Sequence, residues 1–521
     1  MRLIAKRHER AMLAVLLVLY LAIAAWFVVQ GRLNHDEGLF LYAAQSALSG
    51  ELPYRDFAFI QAPLTLYVYG PIQSFFGPGL LAGRLTSLAI GTATVALGMR
   101  LAFLHGGAIA ALLFLGVLAC TPEQMWVYTT TRTEPLGGLL WMTCVFLLFG
   151  RARSVGGSAL AVLAAVLATG TRVSSGLALL VVVGIVVHRH RDRPRELWPI
   201  SMPGALAGAA LLLLAWLGPL DVTWFNVITS QTGRGMRLGD AETWTLGQHV
   251  TALSQAIARL HVAYGIVPLL GLLAVVFALV RRSERDRAPW IGASIGLVSI
   301  SASVYLPQLV PRDQYAQYFA PVFPIVLVVV CWAAAAWLRE VPPERRRAAL
   351  AVLLALVAFQ LALMPGQQYA HMSRGERSDL SELAEVTRHL GSLPIEGRTL
   401  ATLDTYIAVE GGYAVPPGWE LGLFAYFPRL EPAEATRFHV LSRQAFTQFL
   451  ANGRPGAVVL SDRALGILVA GRLSGYAPRR TLSEPELVRL IPALAGYRLD
   501  RTYESFGQFA DPLYVLLPRE D

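Results

Sequence analysis

Two adjacent carboxylates, Asp36 and Glu37, follow the first long apolar stretch of this 521-residue chain. Charged groups are costly near hydrocarbon, so a pair of acids just beyond a membrane-length segment indicates a specific role. A carboxylate in such a place can take a proton from a hydroxyl nucleophile. The pair can equally belong to a helix cap, because Asn34 or Asp36 suits the cap position and acids stabilise a helix N-terminus. Both roles stay open, since a cap would also fix the direction of the carboxylate.

A third acid, Glu134, stands near Arg132 in the sequence YTTTRTEPLGG, at the mouth of a later apolar stretch. Proline is common at the start of a helix, so Glu134 can simply belong to a helix opening. Arg132, Arg172 and Arg312 lie at the edges of apolar stretches, and a guanidinium binds phosphate through paired hydrogen bonds. Any one of them can instead snorkel or pair with an acid. Three arginines at the same depth predict a phosphate-binding site. Arg84 is a candidate for a fourth arginine of this site.

The composition is that of a membrane protein with many spans. Hydrophobic residues make up 55% and charged residues 15% of the chain, and the mean hydropathy of +0.50 is too high for an ordinary soluble protein. Of the net charge of +9, residues 1–365 carry +11 and residues 366–521 carry −2. The basic surplus therefore belongs to the membrane part, where it sets topology, and does not indicate nucleic-acid binding.

Most basic residues follow apolar stretches in short clusters. The stretches lie at 11–30, 62–76, 80–99, 106–120, 135–149, 157–170, 173–187, 200–219, 263–280, 289–306, 319–338 and 348–364. Basic clusters concentrate in cytoplasmic loops. They can all be cytoplasmic only if 62–76 is an interfacial helix and 157–187 forms two short spans. We therefore predict a polytopic α-helical membrane protein with about 11 transmembrane helices, its N-terminus inside and its C-terminus outside.

This topology divides the chain into two domains. Residues 1–365 form a transmembrane domain, whose outer loops include 31–79 and 220–262. Residues 366–521 form a small extracytoplasmic α/β domain, in which SDLSELAEVTRHLGSL is typical of an amphipathic helix beginning at Ser378. RTLATLD, GAVVLSD and PLYVLLP are typical of strands.

The order of these segments resembles that of the GT-C glycosyltransferases. The matching stretches are NHDEGLFLYAAQSALSGELPYRDF, QAPLTLYVYGPIQSFFG, AGRLTSLAIG, TRTEPLGGLLW and RDQYAQYFAPVFP. The similarity covers roughly residues 1–365, and it is strongest to bacterial members related to protein O-mannosyltransferases and the lipid A aminoarabinose transferase. It implies a polyprenyl-phosphate-linked sugar donor and transfer on the extracytoplasmic face of the cell membrane, which suggests a bacterial inner membrane.

The resemblance also implies roles for individual residues. Asp36 would be the catalytic carboxylate of the first outer loop, and Glu134 would match the second acidic position. The interfacial helix around Gln61 would line the donor cavity. Related transferases can carry a basic residue at this point, whereas Gln61 is neutral, so if phosphate binding needs a cation, Arg132, Arg172 or Arg312 must supply it.

We therefore expect a membrane glycosyltransferase that inverts the anomeric centre, with Asp36 as base and with Glu37 and Glu134 positioning sugar or acceptor. Candidate residues of the substrate cavity are His35, Tyr42, Tyr54, Gln61 and Tyr315. The expected partners are membrane lipid, a polyprenyl-phosphate-linked sugar, and a glycan, lipid or protein acceptor. No metal-ligand spacing occurs, so we expect no cofactor beyond the lipid-linked donor, and dependence on a divalent cation stays open.

Two other functions remain as alternatives. A transporter or flippase of lipid-linked sugars usually places ionisable groups near the bilayer midplane and often shows internal repeats. Here the acids cluster outside the apolar stretches and no repeat is present. An enzyme of the same architecture that polymerises or ligates glycans is the third candidate.

Overall fold

The computed structural model describes residues 2–150, 154–232, 246–280, 289–309, 315–363, 377–452, 455–470, 480–508 and 510–519. The α-helices of the first 363 residues are α1 (Arg2–Gln30), α2 (His35–Leu48), α3 (Leu64–Phe76), α4 (Leu80–Ala119), α5 (Pro122–Val127), α6 (Thr133–Phe149), α7 (Val155–Thr169), α8 (Gly176–Arg189), α9 (Leu197–Trp216), α10 (Leu220–Trp224), α11 (Ser230–Thr232), α12 (Leu246–Tyr264), α13 (Val267–Val280), α14 (Pro289–Tyr305), α15 (Phe323–Glu340) and α16 (Arg346–Leu363).

Within these ranges, five helices are long and apolar enough to cross a membrane. They are Ala11–Gln30, Leu80–Ala119, Pro194–Trp216, Trp290–Leu309 and Phe323–Glu340. The shorter apolar helices are Thr133–Phe149, Val155–Thr169 and Val173–Arg189. Large hydrocarbon side chains such as Leu180, Leu206 and Leu272 point outward and are more than half exposed, as lipid-facing residues must be. The chain is therefore a multi-pass membrane protein, and the number of 11 spans stays a prediction.

Helix α4 is two antiparallel helices joined at one glycine. Gly107 has φ 74° and ψ −166°, which are not helical, and only glycine adopts such angles without strain. A Cβ built on Gly98 would lie 2.5 Å from the ring of Phe114, although these residues would be about 24 Å apart along a straight helix. The chain therefore folds back here, between the predicted stretches 80–99 and 106–120.

Helices α7 and α8 form the predicted hairpin over 157–187. The chain turns through a 3₁₀ turn at Val173–Ser175. The Ser158 hydroxyl oxygen, at the start of α7, lies 3.0 Å from Nε2 of His190, which follows α8. The start of α7 and the end of α8 therefore lie side by side. This arrangement keeps the basic clusters before α7 and after α8 on the same side, as the predicted topology requires.

The segment 220–262, predicted as a connection between spans, contains helices that were not predicted, and its place outside the membrane stays a prediction. Residues of this range form α10, α11 and most of α12, which ends before a bend of 101° at Gly265 and the next helix, α13. Val250, Leu253 and Ile257 of α12 follow each other at helical spacing and are exposed. The stretch was missed because polar residues alternate with these apolar ones, which lowers its hydropathy below that of a span.

The C-terminal part is an α/β domain with one mixed four-stranded sheet. The strands are β1 (Leu400–Thr402), β2 (Ala457–Ser461), β3 (Tyr497–Phe506) and β4 (Asp511–Pro518), in the order β1-β2-β4-β3. β1 and β2 are parallel, and the other pairs are antiparallel. The helices are α17 (Asp379–Gly391), α18 (Thr405–Gly411), α19 (Pro432–Arg437), α20 (Arg443–Asn452), α21 (Asp462–Ala470) and α22 (Glu484–Leu490). The predicted helix and three predicted strands are confirmed, while β3 was not predicted.

This domain is docked on the segment between α1 and α4 through a shared hydrophobic core. A Cβ on Gly38 of α2 would lie 2.1 Å from the backbone nitrogen of Tyr406, so only glycine allows α2 to approach α18 this closely. The Phe225 ring stacks on the Phe438 ring with 4.1 Å between centroids. The domain division at residue 365 stays a prediction, and residues of both parts share this core.

Candidate functional site

The carboxylates that follow α1 begin a capped helix. Asn34 is the N-cap of α2: its side chain accepts a hydrogen bond from the Asp36 backbone nitrogen, and the Glu37 side chain accepts one from the Asn34 nitrogen in return. This capping box satisfies two of the helix's free N–H groups. The two acids therefore have fixed and different directions, because they follow each other on a helix.

Glu37 points inward, to Arg84 of α4. The Arg84 Nε and Nη2 atoms donate to Glu37 at 2.8 and 2.7 Å, and both side chains are fully buried. Arg84 also donates to the carbonyl oxygens of Val28 and Gly31, each at 2.9 Å. The arginine thus joins the end of α1, the start of α2 and the start of α4. Glu37 lies here in the protein interior, so this pair fixes the position of α2.

Asp36 points away from this buried pair and is partly exposed. Its side chain retains 17% of its surface exposed, and its Oδ2 lies 3.1 Å from Nη2 of Arg132. Its Oδ1 lies 3.3 Å from Nε2 of His35. A carboxylate with one cation and one imidazole at hydrogen-bonding range, and with surface left for a ligand, is suited to accept a proton from a hydroxyl.

Glu134 lies on the far side of Arg132, at the start of α6. Its Oε2 is 3.6 Å from Nε of Arg132 and its Oε1 is 3.3 Å from Nη2 of Arg172. The guanidinium of Arg172 in turn lies 4.5 Å from the centre of the Tyr318 ring. Two predicted acids and two predicted arginines therefore form one chain of alternating charge, from Asp36 through Arg132 and Glu134 to Arg172.

Two N–H groups of the buried Arg132 side chain lack a hydrogen-bond partner among the described residues. The side chain is 1% exposed, and these groups are on its Nε and Nη1 atoms. Buried guanidinium N–H groups are normally paired, because an unsatisfied charged donor is expensive. Trp126, whose ring centre lies 5.5 Å away, covers one face of the group. The remaining donors suit an anionic oxygen of a ligand.

The other predicted residues are distributed around this charged chain. The Tyr42 hydroxyl accepts a hydrogen bond from the Val415 nitrogen at 3.0 Å, so it contributes to domain docking. The buried Tyr54 hydroxyl donates to the Gln61 carbonyl oxygen, which fixes the chain before α3. Tyr315 is 38% exposed. Arg312 lies outside the described residues.

Several residues of the site were not predicted from the sequence as parts of it. Tyr264, at the end of α12, has a fully buried hydroxyl without a hydrogen-bond partner among the described residues, and it interacts electrostatically with Arg132 and Glu134. Trp126 belongs to the short helix α5, whose few residues give no periodic signal. No group of three or more histidine, cysteine, aspartate or glutamate side chains within the described part of the chain is arranged to hold a metal ion.

No protein-family model matches the chain, and no curated protein matches its sequence. Solved structures do match. ArnT from Cupriavidus metallidurans bound to undecaprenyl phosphate superimposes with a TM-score of 0.60 and 16% identity over 97% of both chains. The apo state of the same ArnT superimposes with a TM-score of 0.57 and 15% identity over 98% of both chains. A third match is the archaeal oligosaccharyltransferase AglB from Archaeoglobus fulgidus in complex with an inhibitory peptide and a dolichol-phosphate. It superimposes with a TM-score of 0.51 and 12% identity over 97% of this chain and 74% of the AglB chain.

This chain has the GT-C fold. The superposition with ArnT includes the C-terminal domain, since it covers nearly the whole of both chains. The resemblance stated from the sequence is therefore confirmed for the fold, and it extends beyond residues 1–365. Identity this low shows the fold alone, so the activity has to be argued from the site.

Proposed function

We propose that this protein is a glycosyltransferase that moves a sugar from a polyprenyl-phosphate donor to an acceptor hydroxyl on the extracytoplasmic face of the membrane. The observation that carries the proposal is the contact between Asp36 and Arg132. It places a partly exposed carboxylate 3.1 Å from a buried arginine whose Nη1 has no hydrogen-bond partner among the described residues. Transfer from a lipid phosphate needs these two groups, a base for the hydroxyl and positive charge for the departing phosphate.

In the proposed reaction Asp36 accepts the proton of the acceptor hydroxyl. The hydroxyl oxygen then forms a bond to the anomeric carbon, and the bond from this carbon to the phosphate oxygen breaks with its electron pair on the phosphate. Arg132 and Arg172 bind the phosphate as charge develops on it, with Arg312 as a further candidate ligand. A single displacement of this kind inverts the anomeric configuration.

The remaining acids support the two reacting groups. Glu134 contacts both arginines and orients them, or the sugar between them. Glu37 acts from the interior, because its pair with Arg84 fixes the helix start on which Asp36 stands. Gln61 and Tyr315 are the candidates for contacts with the donor sugar or its isoprenoid.

The distribution of basic residues supports the proposed sidedness. Arg339, at the end of α15, donates to the His105 carbonyl oxygen at 3.1 Å, and the Arg189 guanidinium lies 4.9 Å from the Phe149 ring centre. Arg339, Arg189 and Phe149 lie at the C-terminal ends of α15, α8 and α6, and His105 lies beside the turn of α4 at Gly107. This is the end of α6 opposite Glu134, and basic residues mark the cytoplasmic side. We infer a cytoplasmic N-terminus, an extracytoplasmic C-terminal domain and, from the ArnT likeness, a bacterial inner membrane.

The donor is inferred from the same likeness and from the site's charge. Undecaprenyl phosphate is bound in the matching ArnT structure, and a dolichol-phosphate in that of AglB. Both are lipid phosphates, which suit Arg132 and Arg172. The acceptor is a hydroxyl of a glycan, lipid or protein.

The test uses the wild-type protein in nanodiscs with synthetic undecaprenyl-phosphate sugars and envelope fractions as acceptors. We expect release of one undecaprenyl phosphate for each glycosidic product, with the inverted anomeric configuration by NMR. A parallel assay in sealed vesicles follows intact donor. Movement of the donor across the bilayer without cleavage of the sugar–phosphate bond would contradict the proposal and favour a flippase.

A further inference from the structure

Gln508 of the C-terminal domain reaches the first residue of α2. It lies in the turn between β3 and β4, and its Oε1 accepts a hydrogen bond from the His35 backbone nitrogen at 3.2 Å. The same oxygen lies 2.7 Å from Nδ1 of the His35 ring. A backbone N–H can only donate, so the side-chain atom that faces it must be the amide oxygen. An amide oxygen only accepts, and Nδ1 of His35 therefore carries a hydrogen.

This hydrogen bond determines what the other ring nitrogen can do. In the neutral imidazole only one nitrogen carries a hydrogen, so Nε2 of a neutral His35 can accept a proton. Nε2 faces Asp36, whose Oδ1 lies 3.3 Å away, so it can take a proton that Asp36 carries. The His35 side chain is 22% exposed, which gives it a route to water. The Phe424 ring, 5.4 Å away between centroids, packs against the imidazole.

Charged groups surround this pair on two sides. Arg132 holds the other oxygen of Asp36. On the side of the C-terminal domain, Asp404 follows β1 and interacts electrostatically with His35. Asp404 is itself held by hydrogen bonds from the Ser461 nitrogen at 3.0 Å and the Tyr406 hydroxyl at 3.1 Å. His35 therefore stands between two carboxylates, of which Asp36 is partly exposed and Asp404 is buried.

We propose that His35 takes the acceptor's proton on from Asp36, and that Gln508 is a positioning residue that holds the imidazole for this step. The inference rests on the proposed function. The hydroxyl proton moves to Asp36 as the new glycosidic bond forms and the bond to phosphate breaks, and it then passes to Nε2 of His35 and to water. The C-terminal domain thus completes the catalytic site, because the residue that orients His35 comes from it.

One test does not depend on activity. Deuterium exchange at C2 of the His35 imidazole, followed by mass spectrometry across pH, reports when the ring is protonated. In Gln508→Glu the amide is replaced by a carboxylate, which favours the protonated ring, so the exchange midpoint should move to higher pH. The exposed Gln448 of the same domain supplies the control Gln448→Ala, which should leave the midpoint unchanged. An unchanged midpoint in Gln508→Glu would overturn the contact.

The second test is the pH profile of transfer in the same variants. We expect Gln508→Ala to lower kcat about tenfold with an unchanged KM, as expected for one lost orienting hydrogen bond. Gln508→Glu keeps an accepting oxygen and should restore kcat, with the acidic limb of kcat/KM moved to higher pH. If the wild type is active and both variants show its kcat and its pH profile of transfer, the proton relay is overturned while the proposed function stands. An inactive wild type, with every donor tried, would overturn the proposed function as well.

Discussion

Arg84 and Glu37 form a buried ion pair in which neither side chain is exposed and the Arg84 Nη2 lies 2.7 Å from the Glu37 Oε2. Removing one partner of such a pair leaves an uncompensated charge and costs about 3–5 kcal/mol. We therefore expect Glu37→Gln and Arg84→Met each to lower the midpoint of thermal unfolding, measured by size-exclusion chromatography of heated samples. The double variant Glu37→Met with Arg84→Met should recover part of the loss, since no charge is left buried.

Asp56→Asn is the matched control for this pair. Asp56 pairs with Arg55 at 2.7 Å on the surface, where the arginine is 51% exposed, and exposed pairs contribute little. Its unfolding midpoint should stay close to that of the wild type. Equal losses in Glu37→Gln and Asp56→Asn would show that the buried pair has no special structural role.

Arg172 is expected to act on donor binding. Its guanidinium is 15% exposed and contacts Glu134 at 3.3 Å, and a hydrogen bond to a charged group contributes about 1.5–3 kcal/mol. Arg172→Met should therefore raise KM for the lipid-phosphate donor by about 10- to 100-fold and change kcat less. Arg55→Met, at an exposed arginine of the same outer region, should leave KM unchanged. A donor KM in Arg172→Met equal to that of Arg55→Met would remove Arg172 from the phosphate site.

Glu420 makes the stability of the C-terminal domain depend on pH. Burial, together with the nearby Glu51 carboxylate, raises the pKa of Glu420 to about 7, and its Oε2 lacks a hydrogen-bond partner among the described residues. The folded protein then binds more protons at this site than the unfolded chain, so the free energy of unfolding falls as pH rises from about 4.5 through 7.

Glu420→Gln removes this dependence, because a neutral amide replaces a carboxyl group that has to ionise. We expect the variant to be more stable than the wild type by roughly 1–3 kcal/mol at pH 8, with little difference at pH 4.5. Unfolding midpoints at both pH values measure this, and Glu396→Gln at an exposed position is the control. An advantage that is the same at both pH values would mean that ionisation of Glu420 is not its cause.

More of the helices and strands than of the contacts between them could be predicted from the sequence. The acid pair, the turn near 170–175 and three of the four strands follow from local patterns of charge, hydropathy and β-branched residues. β3 was missed because it is an edge strand with several charged residues, YRLDRTYESF, whose side chains are largely solvated.

The partners of the acids could not be predicted from the sequence. Arg84 lies 47 residues from Glu37 in the chain, and Gln508 lies 473 residues from His35. Such pairs form only when helices and domains pack, and no local pattern marks them. The sequence left helix cap and catalysis as alternatives for one acid pair. The structure gives the two acids different directions: Glu37 is buried, and Asp36 is partly exposed beside Arg132.

Sugar transfer by Asp36→Asn is the most direct test of the account. The variant keeps the size of the side chain and removes the base, and general base catalysis contributes about 10²–10⁴-fold. Transfer from a radiolabelled undecaprenyl-phosphate sugar should fall by that factor in Asp36→Asn and stay near the wild-type rate in Glu51→Gln, an exposed acid of the same loop. Near-normal transfer by a correctly folded Asp36→Asn protein would contradict the assignment of Asp36 as the base.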